Sequence, residues 1–344
     1  MSEIMIAADG AKKESAAPSM EAKATITISR PMLLLGLALF AALISYVIVH
    51  VGEMERFALL LAEAQPAWLF LAAGLQVGTY LCAGLVWRKL TREAECTLPL
   101  RVLARISIEQ LSINQLLPTG GVSGNLLVIH ALRRRGLPAA AAIEVLSVEI
   151  LSGYIGYAIL AFLSIVALWW LGDITRVLTY SLGSFALIVT IALTAFICLL
   201  QNRNRSLPRW LPRLRLVARV QDSLKQVSVR RILSSRLLAV ASALNVAIFI
   251  LDAGTLWALM QVAGVPIGLM QCFVTIVVAF ISGAISFLPG GLGSFEAGSL
   301  AMLTLFHVPL EAALAGTLLF RGVALWLPLL LGLLFARKDV SIRI

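Results

Sequence analysis

The feature that most constrains this chain is its series of long apolar segments, set apart by short connectors that carry most of the charge. About twenty apolar residues in a row cross a bilayer core as a helix. Residues 31–50, 66–87, 138–170, 177–200, 237–260 and 312–335 all reach that length. With 60% hydrophobic and 13% charged residues, the chain is far from the roughly 25% charge of a soluble domain. In lipid every backbone polar group needs an internal partner, so only helices or a closed barrel can span. The segments are continuous, not the ten-residue alternation of barrel strands. The expected fold is an all-α polytopic membrane protein.

The net charge of +10 does not point to nucleic acid, because the basic residues sit in connectors between apolar runs. That is the pattern of cytoplasmic loops. The loop 201–236 is the clearest case, with Asp222 as its one acid among ten Lys and Arg. By contrast, 52–65 sets Glu53, Glu55 and Glu63 against Arg56 alone and reads as external. Residues 1–30 read as a disordered cytoplasmic tail and 31–50 as a first span, without a signal-peptide cleavage pattern. The transmembrane domain is expected at 31–337 and a second cytoplasmic tail at 338–344. The result is a multi-pass inner-membrane protein with both termini in the cytoplasm.

Two segments stop short of being ordinary spans. Residues 98–117 carry Arg105, Glu109, Gln110, Asn114 and Gln115 and end at LPTGG, Leu117–Gly121; residues 122–132 then run into Arg133, Arg134 and Arg135. Basic flanks on both sides describe a re-entrant hairpin. Further on, 270–288 ends at LPGGLGS, Leu288–Ser294. The two breaks are alike, LLPTGGVSG against FLPGGLGS, and each is followed twenty residues later by another proline, Pro118 to Pro138 and Pro289 to Pro309. Each unit, 66–170 and 237–335, reads as helix, broken hairpin, helix. The loop charges give them opposite orientations, for about six full spans plus two broken hairpins. An inverted repeat with broken helices at mid-membrane is the pattern of secondary transporters.

A break inside the membrane frees backbone N–H and C=O groups, and the helix after it offers a positive dipole end to an anion. Pro118, Gly120 and Gly121 in the first break, and Pro289, Gly290, Gly291 and Gly293 in the second, are therefore candidate substrate-binding residues. Asn114, Asn125, Glu149 and Asp252 join them as polar groups near the breaks or deep in the spans. Arg321 lies mid-span, where a charge costs roughly 2.5–3.5 kcal/mol and must face a partner or water. Glu296, in the first turn after the second break, is the obvious partner; a lipid phosphate is the other. The four cysteines lack CxxC spacing and the three histidines are scattered, so no metal or cofactor is expected. No nucleotide-binding loop or catalytic motif is present either, which argues against an enzyme.

The stretches LLPTGGVSGNLLVIHALRRRG, FLPGGLGSFEAG and TLLFRG resemble the flippase-like family named for the transmembrane region of lysylphosphatidylglycerol synthase. The resemblance covers most of 30–337. Pro118, Gly120, Gly121, Pro289, Gly290, Gly291, Gly293, Glu296 and Arg321 fall on its motif positions, whereas Asn125 stands where an acid is usual. It implies a stand-alone lipid-translocating domain, without the aminoacyl-transfer domain and so without synthesis of lysyl lipid. The expected function is movement of a lipid with a polar or anionic head group, such as a phospholipid, an aminoacylated lipid or a hopanoid, between leaflets. An integral-membrane enzyme acting on a head group and a small-anion secondary carrier are the alternatives. Membrane lipids are the expected partners, and self-association stays open.

Overall fold

The computed structural model describes residues 24–27, 66–116, 121–172, 232–286 and 289–343, with isolated positions between 183 and 201. The expected spans at 31–50 and 177–200 and most of the loop 201–236 lie outside the described residues, as do Pro118 and Gly120 of the first break.

The repeat is visible in the helix lengths. In the first unit, α1 (Pro66–Glu93, 28 residues) leads into α2 (Leu100–Leu116, 17 residues), α3 (Val122–Arg133, 12 residues) and α4 (Ala139–Leu171, 33 residues). The second unit repeats the order with α5 (Ser235–Val262, 28 residues), α6 (Leu269–Ile285, 17 residues) and α7 (Ser294–Leu305, 12 residues). Its last helix is continuous but changes winding: α8 (Leu310–Arg321), a π-helical segment Gly322–Trp326, and α9 (Leu327–Asp339). A short 3₁₀ turn, Pro289–Gly291, lies in the second break.

Among the described residues four helices are long and apolar enough to cross a membrane: α1, α4, α5 and the composite last helix. The hairpin arms are not. At 1.5 Å per residue, 17 residues reach about 25 Å and 12 residues about 18 Å, short of the roughly 30 Å hydrocarbon core. Both hairpins therefore turn inside the membrane.

Two buried clusters show that they enter from opposite ends. One gathers the C-terminal part of α1 (Val86, Trp87, Leu90), the start of α2 (Leu103), the end of α3 (Val128, Leu132) and the starts of α4 and α5 (Ala142, Leu237). The other gathers Ala72 near the start of α1 with Leu256 and Met260 near the end of α5. It adds Cys272 near the start of α6, Leu303 near the end of α7 and Ala313 near the start of α8. So α1 and α5 run antiparallel, one hairpin opens at each end, and α4 and the last helix cross between them. Small residues bring the long helices close. A methyl group on Gly254 of α5 would stand 3.2 Å from Leu75 of α1, and one on Gly84 of α1 would stand 3.1 Å from Ala104 of α2.

The outside of this bundle is apolar, as lipid requires. Phe70, Val77, Phe162, Trp169, Trp170, Ile250 and Leu330 are exposed. Among the described residues, every Lys and Arg except Arg321 belongs to a segment at the end where the first hairpin opens.

At that end the structure departs from the reading of two separate tails. Ala24–Thr27 (β1) and Val340–Arg343 (β2) pair as a parallel two-stranded ribbon. Their β-branched residues, Thr25, Ile26, Thr27, Val340 and Ile342, suit an extended backbone. The pairing sets residues 24–27 beside residues 340–343.

Candidate functional site

The second break is built around its glycines. Gly290 and Gly291 hold φ of 60° and 64°, where an L side chain is strained. A methyl group on Gly291 would also sit 2.7 Å from the Cα of Gly283 in α6, so the break packs tightly on its own hairpin arm. Gly293 caps α7, and its N–H donates to Glu296 Oε2 at 2.7 Å. The other oxygen of Glu296 receives Arg321 Nε at 2.6 Å. Arg321 also donates to the Gly290 carbonyl at 2.9 Å, and its guanidinium lies 4.2 Å over the Phe295 ring. One cation thus ties together the break, the first turn of α7 and the last helix. The pairing expected from the sequence is formed, and Arg321 is held by Glu296 rather than left free for a phosphate.

The first break achieves the equivalent closure differently. Asn125 does not act as Glu296 does. The orphan N–H of Gly124, in the first turn of α3, donates instead to Asn114 Oδ1 on α2 at 3.0 Å. Asn125 Oδ1 accepts from Gln110 Nε2 at 3.0 Å. Two amide bonds therefore lock α2 to α3 where the second unit uses a carboxylate within α7. At each helix N-terminus one free donor is already taken by the chain itself, and at α7 the cap is an anion.

The end of α2 meets the second break. The backbone carbonyl of Gln115, at the end of α2, would lie 3.7 Å from a methyl group on Gly290. Beside this meeting point is a cavity of about 360 Å³, walled by α1, α2, α4, α5, α6 and the last helix. Of the candidate residues, Asn114, Glu149, Asp252 and Arg321 line it. Gly121, Asn125, Gly290, Gly291, Gly293 and Glu296 do not. Glu296 and Gly290 act on the cavity through Arg321, and Asn125 through Gln110.

Gln110 and Gln115 of α2, polar residues that the sequence sets before the first break, and Asn245 of α5 line the cavity too. Gln76, Thr79 and Tyr80 from α1 and Tyr157 from α4 were not singled out by sequence. Gln76, Thr79 and Tyr80 stand at i, i+3 and i+4 in an apolar span, one helical face, and that spacing is the signal that finds them. Thr79 Oγ1 donates to Asp252 Oδ1 at 3.0 Å across the α1–α5 contact. Tyr80 Oη donates to the Val323 carbonyl at 2.9 Å, which occupies an acceptor in the π-helical segment just after Arg321. Phe280 and Phe320 line the cavity, and Phe295 stacks on Phe320 at 5.9 Å.

Away from the cavity, Glu109 is paired to Arg105 at 2.8 Å, and Arg105 also donates to the Phe335 carbonyl of α9 at 3.0 Å. Ser112 donates to the Pro328 carbonyl at 2.7 Å. These bonds fasten the first hairpin to the last helix of the other unit. The cysteines Cys82, Cys96, Cys198 and Cys272 are unbridged. The arrangement offers a mostly apolar chamber between two inverted units, into which a few amide, hydroxyl and charged side chains point.

Over residues 33–332 the chain matches the family model described as the lysylphosphatidylglycerol synthase TM region. No curated protein matches it.

Proposed function

Because the chain belongs to the family of the lysylphosphatidylglycerol synthase TM region, we propose that it moves a lipid with a polar or anionic head group between the leaflets of the inner membrane. The family ties the chain to membrane work on lipid head groups; transport is our reading. One observation carries it: the cavity of about 360 Å³ is walled by helices of both inverted units and lies where the two hairpins meet. A chamber shared by two inverted units can open to either face as they rock against each other. Its amides, hydroxyls and carboxylates suit a solvated head group, and the apolar outer faces of the helices leave acyl chains in lipid. In this reading the protein is not an enzyme, and both termini are cytoplasmic, since the basic segments gather at one end.

The test is leaflet accessibility of fluorescent phospholipid, aminoacylated lipid and hopanoid in vesicles containing the purified protein. Acceleration over protein-free vesicles is expected for at least one of them. No acceleration with any, from protein shown to be folded, would overturn the reading. A new lipid product in the same vesicles would point to a head-group enzyme, and uptake of a labelled soluble anion to a carrier.

A further inference from the structure

The cavity wall holds two carboxyl groups that lack a basic partner among the described residues. Among the described lining residues Arg321 is the one cation, and it is already matched by Glu296. Asp252 and Glu149 remain. Asp252 is 4% exposed and holds a hydrogen bond from neutral Thr79. Among the described residues no basic side chain forms an ion pair with either carboxylate. Gln76, one helical turn from Thr79 on the same face of α1, is 2% exposed, and its Oε1 lines the same wall without a hydrogen-bond partner. An amide oxygen buried without a donor costs about 1–3 kcal/mol, and a buried carboxylate without a counter-charge costs more. Each of these groups calls for the same thing, a positive or donating occupant.

We propose that Gln76, Thr79 and Asp252 form a site for a small monovalent cation, a proton or Na⁺, with Glu149 as a second carboxyl group on the same cavity wall, and that its binding couples lipid movement to an ion gradient. The donor set is all oxygen: amide, hydroxyl and carboxylate. It holds no thiolate or imidazole, so it suits a hard cation rather than a soft metal. The other titratable or charged groups on the cavity wall are Tyr80 from α1, Tyr157 from α4 and Arg321 from α8, while α2 and α6 face it with neutral side chains. The coupling follows from like charge. Two ionised carboxylates repel an anionic head group entering the same chamber, and a bound cation removes that repulsion. The site also lies at the α1–α5 contact, where the first helices of the two units pack antiparallel, so its occupancy bears directly on how the units meet.

This inference rests on the transport reading, so its test starts with binding alone. Purified full chain in detergent is given ²²Na⁺, and its carboxyl groups are followed by infrared titration. The expected result is either about one Na⁺ retained per chain or a protonated carboxyl band, lost in Asp252→Asn and reduced in Glu149→Gln, at unchanged melting temperature. In vesicles, translocation should rise tenfold or more under the matching Na⁺ or proton gradient, and Asp252→Asn should abolish that response. Neither Na⁺ binding nor an Asp252-dependent band would overturn the site. Translocation equal under all gradients and in both variants would overturn the coupling and leave lipid movement standing. A bound cation without any translocation would keep the site and overturn the transport reading.

Discussion

Arg321 is a cation at mid-membrane that the protein makes tolerable by surrounding it. Glu296 neutralises it, the Gly290 carbonyl accepts from it, and Phe295 lies beneath it. Taking away one partner of such a pair leaves the other charge stranded. Glu296→Gln should therefore lower stability by about 3–5 kcal/mol, seen as a fall in melting temperature in detergent. The double variant Glu296→Gln/Arg321→Met should recover much of that loss, because no charge is left behind. Glycine acts at the same scale. Gly291→Ala meets both a positive φ and the Gly283 backbone. It should cost more than the roughly 1–2 kcal/mol of a left-handed alanine, whereas Gly136→Ala, with φ of 94° and open space around it, should cost that conformational share alone. Comparing the two melting curves checks the difference. The charged pair was legible in the sequence, because a lone charge in an apolar run must find its opposite. The Asn114 cap on Gly124 was not: an amide ten residues away becomes a cap only when the hairpin has closed.

The elements carry the repeat. Two series of 28, 17 and 12 residues, each followed by a long final helix, stand antiparallel. The hairpins were legible because proline and glycine end helices and because basic flanks fix which end is which. Which face of α1 turns inward was harder to read. Thr79 and Asp252 are 173 positions apart, and only the packing of α1 on α5 brings them together. The inverted arrangement predicts that single cysteines at Gly136 and at His307, both exposed, react with a membrane-impermeant maleimide from opposite sides. Labelling from the same side would contradict it.

In the whole molecule, an apolar exterior surrounds a chamber that carries polar groups at the junction of two inverted units, with residues 24–27 and 340–343 paired at the basic end. The account depends on that chamber being the path of the head group. The most direct measurement is lipid translocation in vesicles for two variants side by side. Ala83→Trp fills the cavity from the α1 wall, and Phe70→Trp changes a lipid-facing residue of the same helix. The account predicts translocation at least tenfold slower for Ala83→Trp at an unchanged melting temperature, and unaltered for Phe70→Trp. A folded Ala83→Trp protein that moves lipid as fast as the unsubstituted chain would contradict it.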